Sequence, residues 1–225
     1  MRGRPCAAMV YHLQGEAVGE RNPDYLYCPV DSNWADCKET RRSTSGGALM
    51  HGSHCLAHWS VTQAVQALSS GEAELYALLR GVVEALGAMA TAEELGFDFK
   101  AAPRVGSDSS AARSVASRHG LGRLKHVELK YLWVQSVIRQ GRVVVRKEVG
   151  EDNAADLFTK HLSEDKMLRF LDKLGFELRG GRAPEAPELA KGAAQRRVAS
   201  VALAGGAVAH VDCQQPWVHR WVAPG

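Results

Sequence analysis

Apolar positions along this chain follow two periods. Between residues 24 and 62 they alternate with polar ones. The stretch 24–31 (DYLYCPVD) reads as a strand ending at Asp31, and 43–51 (STSGGALMH) with 55–62 (CLAHWSVT) as a hairpin joined near Gly52 and Ser53. The period then changes. Leu75, Leu78, Leu79, Val82, Val83 and Leu86 recur at three- and four-residue steps, which is one face of a helix. Ser69 and Glu72 form a capping box ahead of it, and Gly96 stands where it should end.

Further on, 103–107 (PRVGS) predicts a short strand and Asp108–Ser117 a short helix. His126–Gln140 predicts a helix with Val127, Tyr131, Val134, Val137 and Ile138 on one side. Arg142–Val149 has strong β propensity, and Asp152–Leu162 and Glu164–Leu174 read as two more helices. Three strands, a helix, a strand, helices, a strand and further helices make a mixed sheet covered by helices, an α/β layered domain. Residues 1–22 are polar without a clear period, and after Gly180 the composition shifts to Ala, Gly, Pro and Arg. The domain is therefore expected over 23–178, between an N-terminal segment (1–22) and a tail (179–225) that does not pack.

A chain of 225 residues suits one domain plus tails. Its five cysteines, Cys6, Cys28, Cys37, Cys55 and Cys213, form no CxxC pair. An odd, unpatterned set points to reduced thiols in an intracellular protein, cytoplasmic or nuclear and not secreted. The N-terminus lacks the apolar run of a signal peptide. The apolar stretch Val198–Val211 is broken by Gly205 and Gly206 and falls short of the roughly 20 residues that span a bilayer. A soluble protein with no membrane partner is expected. The net charge of +3 permits nucleic-acid binding without demanding it.

Candidate chemistry rests on four acids at or near element ends: Asp31, Glu74, Asp108 and Asp156. Each has a plainer reading. Asp31 could end its strand in a turn, Asp108 could cap a helix, and Asp156 could sit on a solvated helix face. Glu74 is harder to dismiss, because the capping box already employs its rival Glu72. Together the four suit a pair of hard divalent ions, which need few carboxylates and can clamp the attacking and leaving oxygens of a phosphodiester.

Other constellations weigh less. His51, His54, Cys55 and His58 are rich in zinc-type donors, but strand alternation sends His54 and Cys55 to opposite faces. Arg41, Arg42, Lys125, His126 and Lys130 are candidate nucleic-acid contacts, matched against an ordinary basic surface. Trp34 and Trp59 are expected in the core.

Five blocks occur in order: DSNWADCKETRRSTSG, ALSSGEAELYAL, GSDSSAA, KHVELKYLWVQ and EDNAADLFTKHL. From about Leu26 to Phe176 the chain resembles the ribonuclease H domain of copia-type LTR retrotransposon Pol polyproteins. The resemblance implies a ribonuclease H-like fold, a five-stranded mixed sheet with helices on both faces. It implies hydrolysis of the RNA strand of an RNA–DNA hybrid with two Mg²⁺ ions, Mn²⁺ being a possible substitute, and a reverse transcriptase domain of the same element as partner. Asp31 matches the first acid of the family's D-x-D-W motif, Glu74 the second glutamate of S-x-E-A-E, Asp108 the acid of D-x-x-A, and Asp156 that of A-D-x-F-T-K. On this footing all four are catalytic metal ligands.

The chain also departs from the family. Pro29 lies in a strand the family places centrally, where proline breaks a ladder, and it is expected to shift Asp31. Asn33 replaces the second acid of D-x-D-W. Glu128 replaces an aspartate, His161 a proline, and no histidine lies between Val143 and Asp156. Two further function classes follow: an inactive retroelement relic that binds nucleic acid, and an integrase- or resolvase-like enzyme of the same fold that cuts DNA.

Overall fold

The computed structural model describes residues 6–11, 23–119 and 129–179. Among the described residues seven strands are formed: β1 (Cys6–Met9), β2 (Leu26–Asn33), β3 (Thr44–His51), β4 (His54–Thr62), β5 (Arg104–Ser107), β6 (Val144–Lys147) and β7 (Phe176–Arg179). The helices are α1 (Ser70–Glu94), α2 (Ser110–Ser117), α3 (Leu129–Arg139) and α4 (Glu164–Lys173). A five-stranded sheet has the order β4-β3-β2-β5-β6. Its β4-β3-β2 half is antiparallel and its β2-β5-β6 half parallel, so β2 is the central strand where the two patterns meet. The five-stranded mixed sheet is the one expected. β1 and β7 pair in a separate two-stranded sheet; neither strand was predicted. The five-stranded sheet lies within the larger of two compact units, Met9–Glu177 among the described residues.

Strand alternation divides the core in two. Leu26, Cys28 and Val30 of β2, with Leu49 of β3 and Val105 of β5, pack against Leu75, Leu78 and Val82 of α1 and Tyr131, Val134 and Val137 of α3. Ala48 and Met50 of β3 turn the other way, onto Ala154, Phe170 and Leu174. Helices thus cover both faces. The α1 stripe is narrower than its apolar positions suggested: Val83 is 50% exposed. Its place is taken by Gly81, where an added Cβ would stand 2.6 Å from Val30 Cγ1, so helix and central strand approach closely.

The Ser69 half of the α1 capping box forms as expected, while Glu72 reaches one residue further back than the cap. Ser69 Oγ accepts from the Glu72 amide at 3.2 Å, and Glu72 Oε2 accepts from the Leu68 amide at 2.8 Å. Pro29 interrupts the β2–β3 ladder without displacing it. Tyr27 faces Met50 before the proline and Val30 faces Gly47 after it, which is the same register, and Asp31 faces Gly46 in turn. The expected shift of Asp31 does not occur, because the strand resumes in phase.

One element differs in kind. The predicted helix 152–162 is two 3-10 turns, Gly150–Asp152 and Ala154–Phe158. Asn153 decides this: its side chain accepts from the Ala155 amide and donates to Val30 O on the central strand, anchoring the turn to β2 at a fixed point. Trp34 is a second correction. The residue is 53% exposed, with Nε1 donating to Ala67 O at 3.0 Å, whereas Trp59 is buried as expected.

Candidate metal centre

β2 and β5 run parallel, so their C-terminal ends emerge on the same side of the sheet. β2 carries Asp31, which is 1% exposed. Asp108 follows β5 directly. It is not a helix cap; Ser109 has that role, accepting from the Ala112 amide. The second turn of α1 brings Glu74 to the same place. One carboxylate oxygen from each of Asp31, Glu74 and Asp108 lies within 4.8 Å of the others.

This cluster is electrostatically unsatisfied. Glu74 Oε1 accepts from the Ser32 amide at 3.3 Å, but its Oε2 is buried with no hydrogen-bond partner. Burial pushes the Glu74 carboxyl up to about 8, and the negative charges of Asp31 and Asp108 push in the same direction. Burial also raises Asp31, against the opposing pull of the Thr159 hydroxyl and Lys160. Three converging acids, one with an orphaned buried oxygen, fit a hard divalent cation that prefers oxygen donors. Such a cation would relieve both the repulsion and the unmet acceptor.

The fourth acid stands apart from the three. Asp156 is 2% exposed in the second 3-10 turn rather than on a solvated helix face. Its Oδ1 lies 2.8 Å from Lys160 Nζ and its Oδ2 3.0 Å from Lys166 Nζ. Lys160 Nζ also reaches Asp31 Oδ1 at 3.2 Å, so the ammonium stands between the two carboxylates. The remaining oxygen, Asp31 Oδ2, accepts from the Thr159 hydroxyl. Burial disfavours the Lys160 charge, yet Asp156 and Asp31 outweigh it and hold its pKa above the usual lysine range.

Thr159, Lys160 and Lys166 were missed as site residues. The Asp156–Lys160 spacing of four residues was a legible pairing signal; Lys166, from another element, left none. Asn33, the departure from D-x-D-W, also has a place. It donates from Nδ2 to Thr159 O and accepts at Oδ1 from the Thr44 amide, tying 159 to the start of the hairpin. An open groove of about 460 Å³ beside it is lined by Asn33, Asp36, Ser60, Thr159, Lys160 and His161.

Of the basic candidates, Arg41 and Arg42 are exposed in the connection between β2 and β3. Lys130 lies in the first turn of α3, and Lys125 and His126 fall outside the described residues. The histidines of the hairpin have separate surroundings: His51 against Phe97 and Phe99, His54 against Tyr11, His58 stacked on Phe158.

No protein-family model matches the chain. The retrovirus-related Pol polyproteins from transposons RE1 and RE2 of Arabidopsis thaliana are each 26% identical over 151 residues, covering 67% of this chain. This chain is similar to transposon Pol polyproteins. It spans about a tenth of the length of these Pol relatives, 10% in each case. Among solved structures it is similar to the N-terminal RNase H domain of Rv2228c from Mycobacterium tuberculosis, with TM-score 0.40 and 18% identity over 65% of this chain and 95% of that one. LC11-RNase H1 in complex with RNA/DNA hybrid gives TM-score 0.41 and 18% identity, covering 58% and 91%.

Proposed function

We propose that this domain is an endonuclease that hydrolyses the RNA strand of RNA–DNA hybrids with divalent metal ions, as part of a copia-type retrotransposon Pol polyprotein. The observation that carries the reading is the partnerless, buried Glu74 Oε2 beside the oxygens of Asp31 and Asp108. Its likeness to transposon Pol polyproteins supplies the biological setting. Asp31, Glu74 and Asp108 would hold one Mg²⁺, and Asp156 with Asp31 a second, with Mn²⁺ as a substitute. Ions bound there would lower the pKa of the attacking water and neutralise charge developing on the phosphate. The chain's own groups orient the ligands: Thr159 fixes one oxygen of Asp31, Ser32 one of Glu74, and Asn153 holds the turn that bears Asp156.

Recognition of the hybrid would follow its shape and 2′-hydroxyls rather than its sequence. Arg41, Arg42, Lys125, His126 and Lys130 would meet backbone phosphates, and a reverse transcriptase domain of the same element would supply the substrate. The test is incubation with a labelled RNA–DNA hybrid and Mg²⁺, beside an Asp108→Asn variant. Cleavage by the native chain alone supports the reading. Equal cleavage by both, or preference for duplex DNA, overturns it.

A second reading has its own observation. Both oxygens of Asp156 are engaged by lysines, as in a relic that binds hybrid without cutting it. That form predicts salt-sensitive binding and no turnover.

A further inference from the structure

Two halves of the acidic site differ in how their charge is met. On one side, Glu74 Oε2 is buried without a partner. On the other, every carboxylate oxygen of Asp31 and Asp156 is engaged: by Thr159 and Lys160 on Asp31, and by Lys160 and Lys166 on Asp156. Two carboxylates face two ammonium groups there, so that half is already neutral. A divalent ion added to it would stand against Lys160 at contact range, where like-charge repulsion is strong in a partly buried setting.

We infer that Lys160 is a resident counterion at the Asp31–Asp156 position, and that a divalent ion binds there only in exchange for its ammonium. The inference rests on the metal-dependent reading above and concerns its order of assembly. Lys160 is built to leave. Its side chain is 41% exposed, whereas the Asp156 and Asp31 side chains it bridges are 3% and 1% exposed. A flexible four-carbon stem can swing the charge toward the neighbouring groove, which Lys160 lines. Lys166, on a separate helix, keeps its hold on Asp156 Oδ2. The free protein therefore takes a single ion at Asp31, Glu74 and Asp108. The second ion follows when a phosphate-bearing substrate brings negative charge that the displaced ammonium can meet. Lys160 thus acts as a positioning residue for the second ion.

The experiment is calorimetric titration of the full chain with Mn²⁺, without nucleic acid, for the native protein and Lys160→Met. One ion is expected on the native chain. A second is expected on the variant, its affinity raised by about tenfold or more. Two comparable ions on the native chain, none at all, or an unchanged count in the variant overturns the inference. Removing Lys160 leaves buried acids less compensated and could unfold the chain, so a second measurement uses the native protein. The ¹⁵N shift of Lys160 Nζ, read by NMR on the native protein, is expected to move when hybrid and Ca²⁺ are both present and to stay in place with Ca²⁺ alone. An unchanged shift with both, or the same movement with Ca²⁺ alone, overturns the inference. Failure of the nuclease reading shows separately, as absent hybrid cleavage with the one-to-two change in Mn²⁺ count intact.

Discussion

Glu74 Oε1 accepts a hydrogen bond from the Ser32 amide across 3.3 Å, tying the second turn of α1 to the central strand. Its other oxygen has no partner, and burial lifts the carboxyl from its ordinary 4.5 to about 8. Below pH 4.5 the group is protonated folded or unfolded, and its contribution to stability is complete. Between 4.5 and about 8 the unfolded chain releases its proton first, so stability falls as pH rises; above about 8 the contribution is gone. Thermal melts in chelator from pH 5 to 8 should show this decline, and Glu74→Gln should flatten it. Identical slopes for the two proteins would remove the argument.

Saturating Mg²⁺ should reverse that decline. An ion that binds only the folded state stabilises it by mass action, and it removes the repulsion that drives Glu74 to hold a proton. The midpoint at pH 8 should rise on adding Mg²⁺ and fall back with chelator. Asp108→Asn should blunt the response. A native midpoint indifferent to Mg²⁺ would contradict a metal centre at these acids.

Gly46 faces Asp31 across the β2–β3 ladder, and an added Cβ would stand 2.6 Å from Thr159 Cγ2 and 2.8 Å from Phe158 Cβ. Gly46→Ala should therefore push the 158–160 segment off the sheet. Overpacking of this kind costs about 1–3 kcal/mol. Because Thr159 also bonds Asp31, hybrid cleavage should fall further than stability alone explains. Urea unfolding alongside the cleavage assay separates the two effects, and a neutral result in both would show that the segment yields freely.

Asn153 is fully buried, with its side chain bonded at both ends, to Val30 O at 3.0 Å and to the Ala155 amide at 3.1 Å. Asn153→Ala leaves those partners unmet, which costs about 1–3 kcal/mol. It also frees the turn that presents Asp156. Loss of stability by denaturant titration, with a lower second-ion affinity, is expected. Full stability would mean that water replaces the amide.

Ser69→Ala tests the local end of the fold. Removing the acceptor for the Glu72 amide should cost about 0.5–2 kcal/mol. Glu72 keeps its own bond to Leu68, so the smaller half of that range is expected. Chemical denaturation reads the difference, and a loss well beyond it would point to a shift of Glu74 two residues on.

The sequence by itself determined the alternating strands around Asp31, the long helix with its Ser69 cap, and the choice of the four acids as candidates. These are short-range signals, in which period and capping chemistry are written within a few neighbouring residues. Only the tertiary structure decided which acids meet. Asp31, Glu74 and Asp108 converge because two parallel strands and one helix start reach a common edge. Tertiary structure also turned 154–158 into a 3-10 turn, since Asn153 finds its partner on Val30, 123 residues earlier in the chain. It set Lys160 between two carboxylates, one of them 129 residues away. Local pattern fixes which face of an element is apolar, but pairings across such separations depend on how the faces stack, and no single stretch of chain encodes that.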